Sequence, residues 1–315
     1  MKIKKILIAT SILMIVPSIG CISYKKNNEP SYPSIQNTYN KNILQEKVKI
    51  IVNDNIKEIT MEEYLIGVIA AEISPTYQIE AIKAQVIAAH TYALNRYGET
   101  GPFPTNPNIF QAYINKEQRQ NKYKNNFEKY ENTFQDAVNS VANKIITYNN
   151  LPIKAVFHHM SAGRTENSNN VWGGNIPYLI ETDSSLETNL QNFHKTVTVS
   201  VNELYNNIKK EFPSATMSNL NQNEITILSK SQSGYVQNIK IFNIELSGTK
   251  LRSILKLPST SFDISIENNN VIFDCKGMGH GVGMSQCGAN ELANQGKNHE
   301  EILKHYYSGV SITTL

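Results

Sequence analysis

Apolar residues at helical spacing follow position 60 and predict the first long element of the fold. Thr60 and Glu63 form a capping box, in which the threonine hydroxyl accepts from the Glu63 amide and the carboxylate reaches back. The stripe continues to Glu72, and Pro75 ends the helix just after it. Its apolar members are Leu65, Val68 and Ile69. Spacing of i, i+3, i+4 and i+7 is typical of one face of an α-helix.

Two further helices are predicted downstream, and a short strand is predicted upstream. Residues 48–52 are a β-type run. Residues 78–97 carry an apolar face and end at Gly98, a residue suited to a helix C-terminal cap. Residues 127–146 repeat the helical pattern, so we expect a third helix there.

From residue 153 the period changes to that of β-strands separated by turn-rich joints. The predicted strands cover residues 154–158, 178–182, 196–201, 224–229, 236–242 and 271–274. A short helix over 201–212 interrupts them, and helices over 289–293 and 299–307 close the chain. There is no internal repeat and no βαβ alternation. We therefore predict an α+β fold, with a helical N-terminal half packed with a mixed or antiparallel β region in a single compact domain after a membrane anchor.

The first 24 residues predict a membrane anchor or a signal segment. Lysines at positions 2, 4 and 5 precede an uncharged run over residues 6–22, which at roughly 17 residues is short for a bilayer span and long for a signal-peptide core. Cys21 adds a lipoprotein interpretation, although Ser18 stands where that motif prefers Leu. Among the three interpretations of this segment, we favour an uncleaved anchor over lipidation, and lipidation over a cleaved signal peptide. All three place the domain, expected over residues 46–315, outside the cytoplasm after a flexible linker over residues 25–45.

Composition limits the kinds of molecule that the protein is expected to bind. The net charge of +3 is small and the basic residues are scattered, so the chain shows no nucleic-acid footprint. A mild positive excess suits an acidic polymer such as peptidoglycan. Only three cysteines occur. Cys275 and Cys287 could pair, but two thiols are not a disulfide framework, and unpaired thiols are the favoured interpretation.

Glu72 departs from the pattern of its own helix, because it lies on the apolar stripe in the last turn. Desolvation on the core face and the negative end of the helix dipole both disfavour an ionised carboxylate there. A carboxyl group held partly protonated near neutral pH suits general acid catalysis. The alternatives are a structural carboxylate paired with a basic residue, and a stripe that reaches the surface one turn earlier.

Glycine occupies every second position from Gly277 to Gly283. Such a run is not a stable helix or strand interior and indicates unusual backbone conformations or a closely approaching group. We expect it to present His280, Ser285 and Gln286 for hydrogen bonds to a sugar. The alternative is a tight connection that contains a hydrogen-bonded histidine. It is not a phosphate loop, because the GxxxxGK[ST] pattern is missing.

Adjacent histidines begin the segment from His158 to Asn167. In an extended chain they point to opposite faces, which makes them poor joint ligands of one metal ion. With no nearby Cys and no His at helical spacing, we predict no metal site and no cofactor. Arg164 and Glu166 indicate a surface pair or a loop edge. Signatures of serine, cysteine or metallo-hydrolases are missing.

Five blocks, in order along the chain, resemble the stage II sporulation protein D family, which shares its domain with an amidase-enhancer family. The blocks are residues 63–72, 80–93, 161–172, 177–179 and 279–289. Two departures occur. His90 stands where the family often has Arg. The cysteines with which some members bind zinc after the Ser161 segment are missing here, so zinc is not carried over.

The resemblance implies a peptidoglycan lytic transglycosylase that cleaves MurNAc-GlcNAc bonds of denuded glycan strands during engulfment in sporulation and leaves 1,6-anhydro ends. The family's catalytic glutamate falls on Glu72, and Tyr178, His280, Ser285 and Gln286 are the candidates for binding the sugars. The resemblance also implies a sporulation cell-wall amidase and a membrane protein as partners, and a position on the mother-cell membrane facing the septal space.

The absence of a clear second carboxylate favours transglycosylation over hydrolysis. Ordinary glycosidases need two carboxyl groups, whereas the muramic C6 hydroxyl is a nucleophile within the substrate itself. Glu80 is predicted to lie at the surface. Two other functions stay open: a non-catalytic glycan-binding enhancer of an amidase, and a purely structural component of the membrane complex.

Overall fold

The computed structural model describes residues 42–217 and 224–315. The predicted anchor and most of the predicted linker lie outside these residues. The last linker residues belong to the folded part, because Ile43 and Leu44 in the 3-10 turn Ile43–Gln45 pack against the core. Within the described ranges, no helix has the length and apolar character needed to cross a membrane.

The described chain alternates helices with short strands that form several small sheets. The helices are α1 (Met61–Glu72), α2 (Ile79–Tyr97), α3 (Lys116–Tyr123), α4 (Phe127–Val141), α5 (Ser168–Trp172), α6 (Val201–Glu211), α7 (Gly248–Leu255), α8 (Gln286–Asn294) and α9 (His299–Tyr306). The strands are β1 (Lys47–Val52), β2 (Asn55–Thr60), β3 (Phe103–Pro104), β4 (Lys144–Tyr148), β5 (Leu151–Pro152), β6 (Phe157–His158), β7 (His194–Ser200), β8 (Ile225–Lys230), β9 (Val236–Ile241), β10 (Ile244–Ser247), β11 (Phe262–Glu267), β12 (Asn270–Lys276), β13 (Met284–Ser285) and β14 (Ser311–Thr314). This arrangement confirms the predicted α+β class.

Helix α1 lies in the larger hydrophobic cluster, between α2, α3 and α4. Its residues from Tyr64 to Ala70 are all buried, so the helix is surrounded on nearly every side rather than along one stripe. Helix α2 is buried through most of its length, and α8 and α9 pack on it from the C-terminal part of the chain. Burial of this much apolar surface is the main stabilising contribution to the fold.

A second hydrophobic cluster holds the β-rich region. Two antiparallel three-stranded sheets, ordered β10-β9-β8 and β11-β12-β7, pack with α6 and α7 around it. Phe262 and Phe273 meet there edge to face with ring centroids 5.5 Å apart. A parallel pair, β6 with β13, sets His158 opposite Ser285 and so joins two sequence segments that lie far apart in the chain.

The predicted helix over 127–146 is wrong in its last turn. Helix α4 ends at Val141, and Ile145 and Ile146 belong to β4, which pairs with β14 and β5. An apolar run of this length suits a helix or a strand equally well. The C-terminal strand supplies the hydrogen-bond partners that decide between them.

Two predicted strands and one predicted contact also differ from what the structure shows. The strand over 154–158 is reduced to β6, and residues 178–182 form turn and irregular structure. The capping box at Thr60 is half formed: the hydroxyl accepts from the Glu63 amide, but the Glu63 carboxylate binds Arg119 instead of reaching back. Helix α3 lies in the polar stretch for which no element was predicted. The other predicted helices and strands are confirmed to within a few residues.

Candidate functional site

Glu72 is the last residue of α1, just after the buried part of the helix ends. The residues before it, through Ala70, are buried, whereas Glu72 itself is partly exposed. Its Oε1 accepts a hydrogen bond of 2.8 Å from the Ala112 amide. The carboxyl group is therefore fixed by a backbone donor from a separate loop, on a residue that is only partly buried.

The surroundings of Glu72 favour its neutral form. Burial raises the pKa of Glu72 to about 7, while the Ala112 amide and the positive charge of Lys122 oppose the rise. The Lys122 ammonium donates to the Ala70 carbonyl at 2.7 Å, and so lies at the C-terminal end of α1. At neutral pH the carboxyl group is divided between acid and base forms, which suits proton transfer in both directions.

The loop before α3 holds the Ala112 amide in place. The Gln111 side-chain amide donates to Tyr64 Oη at 3.2 Å, and the Ile114 backbone amide donates to the Gly67 carbonyl at 3.1 Å. The Tyr113 ring lies directly on Gly67, where a Cβ would come within 2.2 Å of a ring carbon. Any larger residue at position 67 would push this loop, and with it the Ala112 donor, away from α1.

A buried ion cluster secures the same loop from the other side. The Arg119 guanidinium is fully buried and binds both Glu63 and Glu131 through paired hydrogen bonds of 2.8–2.9 Å. It also donates to the Ile114 carbonyl at 3.0 Å. Bidentate pairs of this kind are strong and geometrically specific. Arg119 thus connects α3 and α4 to α1 around the loop that contacts Glu72.

The glycine-rich segment is a tight connection packed against the rest of the chain. Gly277 has φ +70° and a Cβ there would come within 2.4 Å of the Ser161 carbonyl oxygen. At Gly281, φ is +81° and a Cβ would meet the Tyr235 ring at 2.7 Å. Close approach of the protein's own backbone and side chains therefore explains why these positions are glycine.

His280 projects from this segment into a group of rings. Its centroid lies 5.0 Å from Trp172 and 5.5 Å from His158, and its Nδ1 accepts from the Val282 amide at 3.1 Å. Burial lowers the pKa of His158 to about 3 and holds the pKa of His280 well below its usual value. Both rings are therefore neutral at pH 7.

Ser285 and Gln286 are turned toward the protein. The Ser285 hydroxyl caps α8 and donates to the Glu187 carboxylate at 2.6 Å, and the Gln286 side-chain amide donates to Gln85 Oε1 at 3.2 Å. Tyr178 Oη accepts from the Lys154 amide at 3.0 Å. Each of these three groups has a partner within the chain, and their predicted role in sugar binding stays a prediction.

Contacts of helix α8 link the turn after Glu72 to two of the predicted sugar-binding residues, Ser285 and Gln286. The turn that follows Glu72 lies against α8: Tyr77 Oη is 3.2 Å from Cys287 Sγ, and the Gln78 amide donates to Asn290. Helix α8 begins at Gln286, so it links the turn after Glu72 to the end of the glycine-rich segment. The carboxyl group of Glu72, in contrast, is bonded to the loop at Ala112.

Three groups, two beside Glu72 and one that joins other segments of the fold, were not predicted from the sequence. Glu187 is fully buried and accepts from Ser161, Ser184 and Ser285, joining three distant segments. Ala112 acts through its amide, which every residue except proline has, so no sequence signal marks it. Lys122 reaches α1 only because α3 packs there.

No set of three or more His, Cys, Asp or Glu in the described ranges is arranged to hold a metal ion. Cys275 and Cys287 are buried and unpaired, as the spacing favours. Burial raises the pKa of both thiols to about 12, so neither is a thiolate at neutral pH.

Comparison with known proteins identifies the class. Residues 52–148, which include Glu72, match the family model described as Stage II sporulation protein. The chain is 33% identical over 268 residues to Stage II sporulation protein D of Bacillus amyloliquefaciens, covering 83% of this chain and 76% of that protein. With the Bacillus subtilis (strain 168) protein of the same name the identity is 31% with the same coverage.

The chain belongs to the stage II sporulation protein D family, which confirms the resemblance of its five blocks. It is also 27% identical over 296 residues to the Amidase enhancer of Bacillus subtilis (strain 168). That match covers 79% of this chain and 40% of the enhancer.

Proposed function

We propose that this sporulation protein is a peptidoglycan lytic transglycosylase in which Glu72 is the catalytic acid and base. The observation that carries the proposal is the position of Glu72: a carboxyl group with a pKa of about 7, fixed by one backbone donor at the partly exposed C-terminal end of a buried helix. A group poised between its two protonation states is what a single-carboxylate mechanism requires.

In the proposed reaction Glu72 transfers a proton twice. The Ala112 amide occupies Oε1, so the acidic proton is carried on Oε2. Glu72 donates this proton to the glycosidic oxygen between N-acetylmuramic acid and N-acetylglucosamine, and the bond from C1 to that oxygen breaks. The muramic C6 hydroxyl then forms a bond to C1, and its proton returns to Glu72. Sugar atoms close the 1,6-anhydro ring, so water is not consumed and the enzyme ends in its starting protonation state.

Lys122 supports the first half of this cycle, in which Glu72 gives up its proton. After the first transfer Glu72 is an anion in a desolvating site, and Lys122 and the Ala112 amide are the groups that stabilise this anion. Burial and these two groups oppose each other, which keeps the acid and base forms close in free energy.

The likeness to an amidase enhancer supports a second candidate, in which the protein binds glycan without cutting it and stimulates a cell-wall amidase. The substrate in both cases is a denuded glycan strand. We further propose that the domain lies outside the cytoplasm on the mother-cell membrane, held by the N-terminal segment, in a complex with the amidase and a membrane protein.

Incubation of the purified chain with denuded glycan strands, followed by mass spectrometry, tests the proposal. We expect 1,6-anhydro ends from the wild type and a loss of at least about a thousandfold for Glu72→Gln, which removes the only proposed proton donor. Glu58→Gln, on the exposed strand β2, is the matched control and should retain activity. Reducing ends would indicate a hydrolase, and bound but uncut glycan would indicate the enhancer.

A further inference from the structure

The Lys122 ammonium, which the proposed mechanism uses only as a nearby charge, also has hydrogen-bond donors that the fold leaves open. It donates to the Ala70 carbonyl at 2.7 Å. An ammonium group has three N–H donors, so two of them remain for a ligand. Lys122 is exposed, and in the described part of the chain it forms no direct ion pair. The charge that acts on it is that of Glu72.

The fold holds this ammonium at the end of α1 that carries Glu72. Ala70 precedes Glu72 by two residues, which is about 3 Å along the helix axis at 1.5 Å per residue. Tyr123 Oη donates to the same Ala70 carbonyl at 2.9 Å, so two consecutive side chains of α3 converge on this point. The direct hydrogen bond to Ala70 therefore places Lys122 beside the acid.

The substrate proposed above has one acidic group close to the bond that is cut. The muramyl ring whose C1 forms this bond carries a lactyl group on C3. While a stem peptide is attached, the lactyl group ends in a neutral amide, and after the peptide is removed it ends in a free carboxylate. Removal of the peptide therefore places a negative charge within one sugar ring of the oxygen that Glu72 protonates.

A carboxylate that enters the surroundings of Glu72 needs a cation to offset it. Two carboxylates that share a site disfavour the ionisation of either one. Without a positive charge nearby, the substrate would therefore hinder the step in which Glu72 loses its proton. Lys122 is the cation that acts on Glu72. A lysine carries a compact charge on a flexible stem, and so reaches a carboxylate without a fixed planar geometry.

We propose that Lys122 selects denuded strands by binding the free lactyl carboxylate of the muramyl residue whose glycosidic bond is cut. A strand that keeps its stem peptides lacks the charge to which Lys122 binds. This inference rests on the reaction and the glycan substrate proposed above. It adds the chemical group on the substrate and the side chain on the protein that together set the preference for denuded strands.

Cleavage of two matched substrates by the full chain in detergent tests this role. One is denuded glycan, and the other is the same glycan with its lactyl carboxyl groups coupled to ethanolamine as neutral amides. At about pH 5.5 Glu72, with a pKa of about 7, is mostly protonated and the free lactyl group is ionised. We expect kcat/KM to be about fivefold higher for the free acid, chiefly through a lower KM, and the preference to shrink at high salt.

Variants of Lys122 then assign the preference. Lys122→Met should bring the ratio of the two kcat/KM values to about one, Lys122→Arg should keep it, and Lys122→Glu should invert it. Lys116→Met, which removes the same charge at the other end of α3, should leave the ratio as in wild type. Since both substrates depend on the same Glu72, their ratio separates recognition of the carboxylate from any change in the pKa of Glu72.

Thermal unfolding checks that each variant is folded. The Ala70 carbonyl keeps its hydrogen bond from Tyr123 in all of them, and Lys122→Gln replaces Lys122→Met if the latter fails to fold.

If the wild type does not prefer the free acid, or if the preference survives in Lys122→Met, the role of Lys122 is overturned and the reaction at Glu72 stands. If the wild type releases no anhydro ends, calorimetric titration of the same two glycans measures the preference as binding. Acid-selective binding that is lost in Lys122→Met would then keep the inference and overturn the transglycosylase, whereas equal binding of the two glycans, or none, would overturn both.

Discussion

At the scale of single residues, three effects set the pKa of Glu72: burial, one hydrogen bond and one nearby positive charge. Burial by α1 and its partners removes water, the Ala112 amide gives one fixed hydrogen bond, and Lys122 supplies a positive charge. The first effect favours the neutral acid and the other two favour the anion. Each contribution can be removed separately, which makes the site open to direct test.

The raised pKa of Glu72 links its protonation to stability. Because the folded protein binds the proton more tightly than the unfolded chain does, stability falls as pH rises from about 4.5 to about 7, and the full loss is present above pH 7. Glu72→Gln lacks this ionisation. We expect it to be more stable than wild type by about 1–2 kcal/mol at pH 8.5, a range reduced for partial exposure, and equally stable at pH 4.

Urea unfolding at the two pH values measures this difference. Glu58→Gln serves again as the control, since an exposed carboxylate on β2 should show no change of this kind. If the difference in free energy of unfolding between Glu72→Gln and wild type is the same at pH 4 and pH 8.5, Glu72 does not titrate as described.

Removal of Lys122 should shift the pH profile of the proposed activity. A general acid works only while protonated, so cleavage should decline as pH rises through the pKa of Glu72. Lys122→Met removes a charge that lowers this pKa, and we expect the declining limb to move about 0.5 pH unit higher, while Lys122→Arg keeps it in place. Lys116→Met, at the other end of α3, is the control. An unmoved limb in Lys122→Met would exclude electrostatic control by this residue.

At the scale of elements, the glycine-rich segment shows how backbone conformation and close packing combine. Gly281 and Gly174 have nearly the same φ, +81° and +83°. A Cβ at Gly281 would meet the Tyr235 ring at 2.7 Å, whereas nothing lies within 4 Å of one at Gly174. The pair therefore separates the conformational cost of a side chain from the steric cost.

We expect Gly174→Ala to lower the free energy of unfolding by about 1 kcal/mol, the cost of a left-handed conformation for a residue with a Cβ. Gly281→Ala should lower it by about 3 kcal/mol, because the Tyr235 ring or the segment must also move. Denaturant titration of both variants gives the comparison. If the two lose equal stability, the contact with Tyr235 is not a constraint on the segment.

The sequence predicts an element well where its own apolar spacing and capping residues are enough to define it. Helix α2 and its Gly98 cap, and the start of α1 at Thr60, follow from spacing and capping. The sequence predicts helix in place of the start of β4, because Ile145 and Ile146 continue an apolar run. The strand partner of these two residues is β14, at the far end of the chain. The sequence does not predict helix α3, because its pattern is polar. The residue that fixes it in place, Arg119, is buried and pairs with two glutamates from other helices.

At the scale of the whole molecule, Glu187 joins segments that the chain order keeps apart. Its carboxylate accepts from the amide and hydroxyl of Ser161 and from the hydroxyls of Ser184 and Ser285. Burial raises the pKa of Glu187, and these hydrogen bonds oppose the rise. The segment after β6, the 3-10 helix Ser185–Asn189 and the start of α8 are therefore held together by one buried side chain.

Glu187→Ala should destabilise the fold by about 3 kcal/mol, because several buried donors lose their acceptor at once. Glu181→Ala, which removes a partly exposed carboxylate 3.7 Å from Arg164, should cost about 1 kcal/mol or less. Thermal unfolding of both variants at pH 7 provides the measurement. Comparable losses in the two variants would mean that the Glu187 network is not a principal connection in the fold.

The sequence by itself determined the α+β class, the helix that ends at Glu72, the family and the candidate acid, because spacing, capping and short ordered blocks are local properties of a chain. Tertiary structure decided what surrounds that acid. Ala112 and Lys122 reach it through a backbone amide and a long side chain. Glu187 joins other segments through a buried carboxylate, and each of these roles exists only where distant elements pack together. Desolvation and hydrogen bonding depend on which groups become neighbours in space, and that is fixed by packing rather than by local pattern.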